Sequence, residues 1–228
     1  MLILAIDTAL DSCSAAILDT DEGTLRAVES TPMSRGHAEA LMPAIARVMK
    51  AADLSFAALD RIAVTVGPGS FTGLRVGLSA ARGIGLAAGK PVVGVTTLSA
   101  FAAPLLSDSN TTPIVSVIDA RHDHVYMQAV RGDGTTLVRP RIAPVAEVFE
   151  TARYGEPHLV GNVAQQIADR WPSELAPLSG VDVKPAPDIA AVAWLALAAE
   201  PERSAPRPYY LRPVDAKPQT PRLTAPSA

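Results

Sequence analysis

A two-lobed α/β fold, with a mixed sheet flanked by helices in each lobe, is predicted by three observations. Short apolar runs rich in strand formers are interleaved with segments of helical spacing. Their order, three strands joined by tight turns and then alternating helices and strands, is passed through twice. A chain of 228 residues is long enough for two lobes of about 100 residues each.

The first pass begins with strands over residues 1–6, 13–18 and 24–30, the third following the turn signal Asp21-Glu22-Gly23. Ala38, Leu41, Met42, Ile45, Val48, Met49 and Ala52 then recur at helical spacing, with Glu39, Arg47, Lys50 and Asp53 off the stripe. Pro43 either kinks this helix or marks its true first turn. "RIAVTV" is a buried strand, residues 73–88 a helix, "PVVGV" a strand and 98–106 a helix. After the polar loop "SDSNTTP" the second pass has strands in "IVSVID", "HVYMQAVR" and "TTLVR", then the helix "VAEVFETA", the strand "PHLVG" and the helix "VAQQIADRW". "DIAAVAWLALAA" is a last apolar helix.

This order describes the actin-like, ribonuclease-H-like ATPase-type fold, in which a cleft between the lobes often holds a nucleotide. The expected divisions are a first lobe over 1–106, a smaller second lobe over 112–186, a closing helix over 187–200 and a proline-rich tail over 201–228. The net charge of -3 argues against binding a polyanion by bulk electrostatics. Cys13 is the one cysteine, so no internal disulfide exists and a reduced, cytoplasmic chain is expected. The opening "MLILAIDTAL" lacks a basic segment and meets Asp7 early, so neither a signal peptide nor a membrane span is read there.

Asp7 and Thr8 end the first strand, where this architecture can hold a metal-bound water and a phosphate. They are the candidate contacts of a vestigial nucleotide site, and the competing reading makes them turn residues that bond their own hairpin. A nuclease would need further carboxylates; Glu39 is one candidate, but the fourth strand ends in Thr65, Val66 and Gly67 rather than an acid. "GPGSFTGLRVG" fails as a P-loop, because Gly73 is followed by Leu74 and Arg75 instead of Lys and Ser or Thr. It fails as a dinucleotide fingerprint as well, since the third glycine comes one place late. What remains is a turn at Gly67, Pro68 and Gly69, a cap from Ser70 or Thr72, and free N–H groups that can take an anion.

The helix after this turn carries Gly73, Gly77, Gly83 and Gly85, each costing about 1 kcal/mol against alanine. Close approach of another element must compensate, either the protein's own core or a second chain. None of His37, His122, His124 and His158 stands at i, i+4 spacing, and no metal site is read. Cys13 is read as an inert core thiol. Arg121, in "DAR", replaces the small glycines of a second phosphate loop and points to a structural or partner-facing role.

With "ILAIDTA", "HAEALMPAI", "GPGSFTGLRVG", "VIDARHDHVY" and "YYLRP" in this order, the chain resembles the TsaB (YeaZ-like) family, accessory proteins of bacterial tRNA threonylcarbamoyladenosine synthesis. The resemblance runs to about residue 212. It implies no independent catalysis and a heterodimer with the related catalytic subunit TsaD, joined by the ATPase TsaE, with tRNA reached through that complex. It implies no cofactor for this chain, any ATP belonging to the complex. By resemblance the partner interface comprises the helices over 37–52 and 73–88, with His37, Leu41, Ile45, Val48, Gly73, Gly77 and Ala81 facing the partner. Alone, the chain would expose Leu41, Ile45 and Val48 and pair with a second copy. A metal-dependent glycoprotease and an actin-fold small-molecule kinase are the alternatives.

Overall fold

The computed structural model describes residues 1–204 and 206–211, so the proline-rich tail expected up to residue 228 lies outside the described residues from 212 onward. Five strands form the first sheet: β1 (Leu2–Asp7), β2 (Ser12–Asp19), β3 (Thr24–Pro32), β4 (Arg61–Gly67) and β5 (Val92–Thr96), in the order β3-β2-β1-β4-β5. The hairpin-linked pairs β1–β2 and β2–β3 are antiparallel, while β4 joins β1, and β5 joins β4, in parallel. The second sheet repeats this topology with β6 (Pro113–Asp119), β7 (His124–Arg131), β8 (Thr136–Pro144), β9 (His158–Gly161) and β10 (Gly180–Val183), in the order β10-β9-β6-β7-β8. Two such sheets flanked by helices are the actin-like fold.

Helix α1 (His37–Ala51) and helix α2 (Phe71–Ala88) cover one face of the first sheet. Strand alternation divides β1 between two cores: Leu4 and Ile6 meet α1 and α2, while Ile3 and Ala5 meet the opposite helix, α6 (Ile189–Ala198). Arg61 fixes the end of α6 by donating to the carbonyl oxygens of Ala199 and of Ala196, the latter also accepting from Ala199 N. Helix α3 (Thr97–Ala102) stands between the sheets, sending Ala100 to the first core and Leu98 and Phe101 to the second. Helices α4 (Val145–Phe149) and α5 (Ala164–Ala168) cover the far face of the second sheet.

Several boundaries differ from the sequence expectation. Helix α2 starts at Phe71 rather than Gly73, because Ser70 is the residue that caps it, its hydroxyl accepting from Gly73 N at 3.3 Å. Pro43 lies inside α1 on its exposed side, so its missing N–H falls on the solvent face and the helix continues. The helices expected over 98–106 and 145–152 turn into 3₁₀ segments at Ala103–Leu105 and Glu150–Tyr154. The edge strand β10 has no counterpart in the sequence reading: "GVDV" is four residues long, half-exposed, and pairs only with β9.

Candidate partner-binding face and interlobe cleft

Asp7 and Thr8, at the end of β1, are 0% and 1% exposed. The Asp7 carboxylate accepts from Thr65 Oγ1 at 2.5 Å and from Ala9 N at 3.0 Å, all through Oδ1. Its other oxygen is buried without a hydrogen-bond partner among the described residues. Burial penalises the charged form most and raises the Asp7 pKa, while the bonds from Thr65 and Ala9 pull the other way. Thr8 donates to Gly73 O at 2.7 Å. The structure therefore turns both residues into the fold and leaves them no exposed surface for a ligand.

The glycine-rich turn packs on the same loop. Ser70 N donates to Ala9 O at 2.7 Å. A Cβ on Gly69 would collide with Ala9 O and one on Gly73 with Thr8 O, both closer than any real Cβ approaches. Gly67, with φ of 111°, lies in the region that favours glycine. Gly77 faces inward as well, its missing Cβ aimed at Thr8 Oγ1 and at Val64 of β4. The small residues of α2 thus serve the protein's own hairpin and sheet, while Gly83 faces open space.

Leu41, Ile45 and Val48 are 1%, 0% and 2% exposed, and Ala81 is fully buried. This corrects the expectation of an exposed stripe: Leu41, Ile45, Val48 and Met49 are the face that α1 turns to the sheet, whereas Ala38 and Met42 of the same spacing stay outside. Gly73 and Gly77 are buried beside them, and His37 is nearly buried with Nε2 donating to Leu10 O at 3.0 Å. The outward face is built from other residues. Met42 and Phe71 remain 49% and 47% exposed, and Leu86 projects into solvent. A cavity of about 520 Å³ is lined by Met42, Phe56, Ala80, Gly83, Ile84 and Ala87. A second, of about 560 Å³, shares Met42, Ser79 and Ala80 with it and extends to Ala38, Phe71 and Arg75. Together they form one apolar groove along α1 and α2.

Phe71 stands where this groove meets the interlobe cleft, a space of about 500 Å³ lined by Asp11, Ser70 and Thr72 on one side and Asp119, Arg121, Tyr126 and Asn162 on the other. Asn162 Oδ1 accepts from Asp119 N, and Asp119 Oδ1 accepts from Arg121 N. Arg121, His122 and Asp123 follow in the left-handed region, with φ of 64°, 54° and 58°. Among the described residues no group of three or more His, Cys, Asp or Glu side chains is placed to hold a metal.

Cys13, on β2, is buried, and desolvation pushes its thiol up to about 11. Among the described residues no helix is long and apolar enough to cross a membrane. Met42 belongs to the helical stripe of the sequence reading and Arg75 to its rejected P-loop, but neither they nor Phe56 and Phe71 are among the expected interface residues. The signal was present in Met42 and in the Phe of "GPGSFTG", apolar residues that a helix already facing its sheet on one side leaves outside.

Fold and site together define an actin-like protein whose first-lobe loop is filled by its own backbone and whose α1–α2 face is open. A family model described as TsaD, tRNA N6-adenosine threonylcarbamoyltransferase, matches residues 29–198. The tRNA threonylcarbamoyladenosine biosynthesis protein TsaB of Escherichia coli is 32% identical over 172 residues, 75% of this chain and 69% of that protein. A tRNA N6-adenosine threonylcarbamoyltransferase of Pelobacter propionicus is 34% identical over 166 residues, 66% of this chain and 49% of that protein. The solved structure of YeaZ from Pseudomonas aeruginosa superposes with a TM-score of 0.73 at 25% identity, covering 92% of this chain and 99% of that one. The chain belongs to the TsaB (YeaZ-like) family.

Proposed function

We propose that this chain is a cytoplasmic, non-catalytic subunit in tRNA threonylcarbamoyladenosine biosynthesis, acting by binding a TsaD-type catalytic subunit through the outward face of α1 and α2. The observation that carries the reading is the apolar groove on that face. Met42, Phe56 and Phe71 stay at least 37% exposed there, and exposed apolar patches of this kind mark protein contacts. Membership of the TsaB family supplies the pathway.

The partner's chemistry follows from the same similarity. The TsaD family model spans both α1 and α2, so a TsaD-type subunit carries a related helix pair. Two like faces pack as four helices, with interaxial distances of about 8–10 Å that the small outward residues Ala80, Gly83 and Ala87 permit. In the absence of that partner the same face is self-complementary and pairs two copies of the chain. Asp7 and Thr8, spent on Thr65, Ala9 and Gly73, support the view that nucleotide chemistry belongs to the partner and to a TsaE-type ATPase. tRNA is reached through the complex. Titration of the purified chain into a TsaD-type subunit of the same organism, followed by modified-nucleoside analysis of tRNA with and without the chain, tests the reading. Absence of binding together with undiminished modification would remove it.

A further inference from the structure

Two motifs some 140 positions apart, "GPGSFTG" and "YYLRP", are brought into contact through residues 206–211, which hold the first three residues of the second. The segment runs without regular secondary structure from the outward side of α2 to the end of β4. Arg82 Nε donates to Pro206 O at 3.0 Å, and Tyr209 N donates to Val66 O at 2.8 Å. Pro206 and Pro208 have no N–H to satisfy and restrict φ, so the segment loses little freedom on docking. Tyr209 O lies 3.1 Å from where a Cβ of Gly67 would stand, so the glycine is required by the crossing segment as well as by its own φ.

The side chains complete the contact. The Tyr210 ring stacks on Phe71 with centroids 5.7 Å apart and planes inclined by 29°. On the same ring sits Arg75, its guanidinium carbon 3.8 Å from the centroid. Stacking and cation–π attraction both hold a ring in place where area burial alone would leave it free to rotate. Phe71 and Arg75 line the groove, whereas Tyr210 does not. Leu211, one residue on, packs against the core that α3 shares with the second sheet.

We infer that residues 206–211 are a positioning strap for the partner-binding face: Tyr210 fixes the Phe71 ring at the end of the α1–α2 groove, so partner affinity depends on a segment outside the groove. The inference rests on the proposed function, since it concerns the same face. Tyr210 is a positioning residue, acting on the partner through Phe71. Its hydroxyl is not used in the stack, so a phenyl ring serves equally.

The test is a double-mutant cycle on the affinity of the full chain for a TsaD-type subunit, with thermal midpoints recorded for every variant. Tyr210→Ala is expected to weaken binding about three- to tenfold, in the range of an aromatic pair. Tyr210→Phe restores wild-type affinity. In a Phe71→Ala background, Tyr210→Ala has little further effect, because the ring it positions is gone. A Tyr210→Ala chain that binds as the wild type does, or whose loss is undiminished in the Phe71→Ala background, overturns the strap and leaves the proposed function standing. A wild-type chain that binds no TsaD-type subunit overturns both.

Discussion

The hydroxyl of Thr8 donates to the carbonyl oxygen of Gly73 at 2.7 Å, tying the loop after β1 to the first turn of α2. Thr8 O occupies the space that a Cβ on Gly73 would need. Gly73→Ala gains about 1 kcal/mol of helix propensity but forces backbone against backbone, a strain of roughly 1–3 kcal/mol or more. The variant is expected to be less stable than the wild type in urea denaturation. A midpoint above the wild type's would show that the loop and helix separate freely.

Asp7 gives a pH dependence with a definite sign. Burial raises its folded pKa above the ordinary value of 3.8, so the folded state retains the proton that the unfolded chain releases. Stability therefore falls as pH rises from about 3.8 to the raised folded value, and is level above it. Asp7→Asn keeps an oxygen for Thr65 and Ala9 and removes the titration. Its stability relative to wild type should climb across that window in denaturation at stepped pH, and a constant difference would count against a raised Asp7.

Ile45→Asp is expected to unfold the first lobe, because it places a carboxylate in a fully buried core position. An unpaired buried charge costs about 3–5 kcal/mol or more, a large share of a domain's stability. Met42→Asp, one turn earlier on the exposed side, should leave the circular dichroism melt close to wild type. Equal melts for the two would contradict the assignment of faces.

Cys13 should resist thiol reagents in the folded protein. With its pKa held at about 11 by burial, the thiolate fraction near pH 8 is about one in a thousand even before access is considered. Reaction with an aromatic disulfide reagent should appear only as denaturant unfolds the chain. Rapid labelling of the native protein would show that β2 opens.

The fold was legible because strand and helix periods differ and the same order of elements occurs twice. β10 escaped because a four-residue edge strand has too few alternations to stand out from coil. For the helix faces the structure differs from what the resemblance implies, because the residues assigned to the partner are buried in the chain's own core. Leu41, Ile45 and Val48 form a stripe that any sheet-covering helix must have, and periodicity cannot say whether a sheet or a second chain lies opposite. The glycines of α2 posed the same ambiguity; Gly73 and Gly77 answer to the β1 loop and β4, while Gly83 alone among these three is free outward. The contact of Tyr210 with Phe71 is beyond any local pattern, since the two residues are far apart in the sequence and meet only in the folded chain.

Gly83 provides the most direct measurement of the central claim, that the outward α1–α2 face binds a TsaD-type subunit. A Cβ there meets nothing within 4 Å in the isolated protein, so Gly83→Leu should fold and gain up to about 1 kcal/mol from helix propensity. The same side chain would fill the apolar groove to which the proposed function assigns the partner's helices. Thermal denaturation of the variant is predicted to show a raised melting midpoint, and calorimetric titration against the TsaD-type subunit an affinity lowered at least about tenfold, or about 1.4 kcal/mol. A stable Gly83→Leu chain that binds with wild-type affinity would contradict the account.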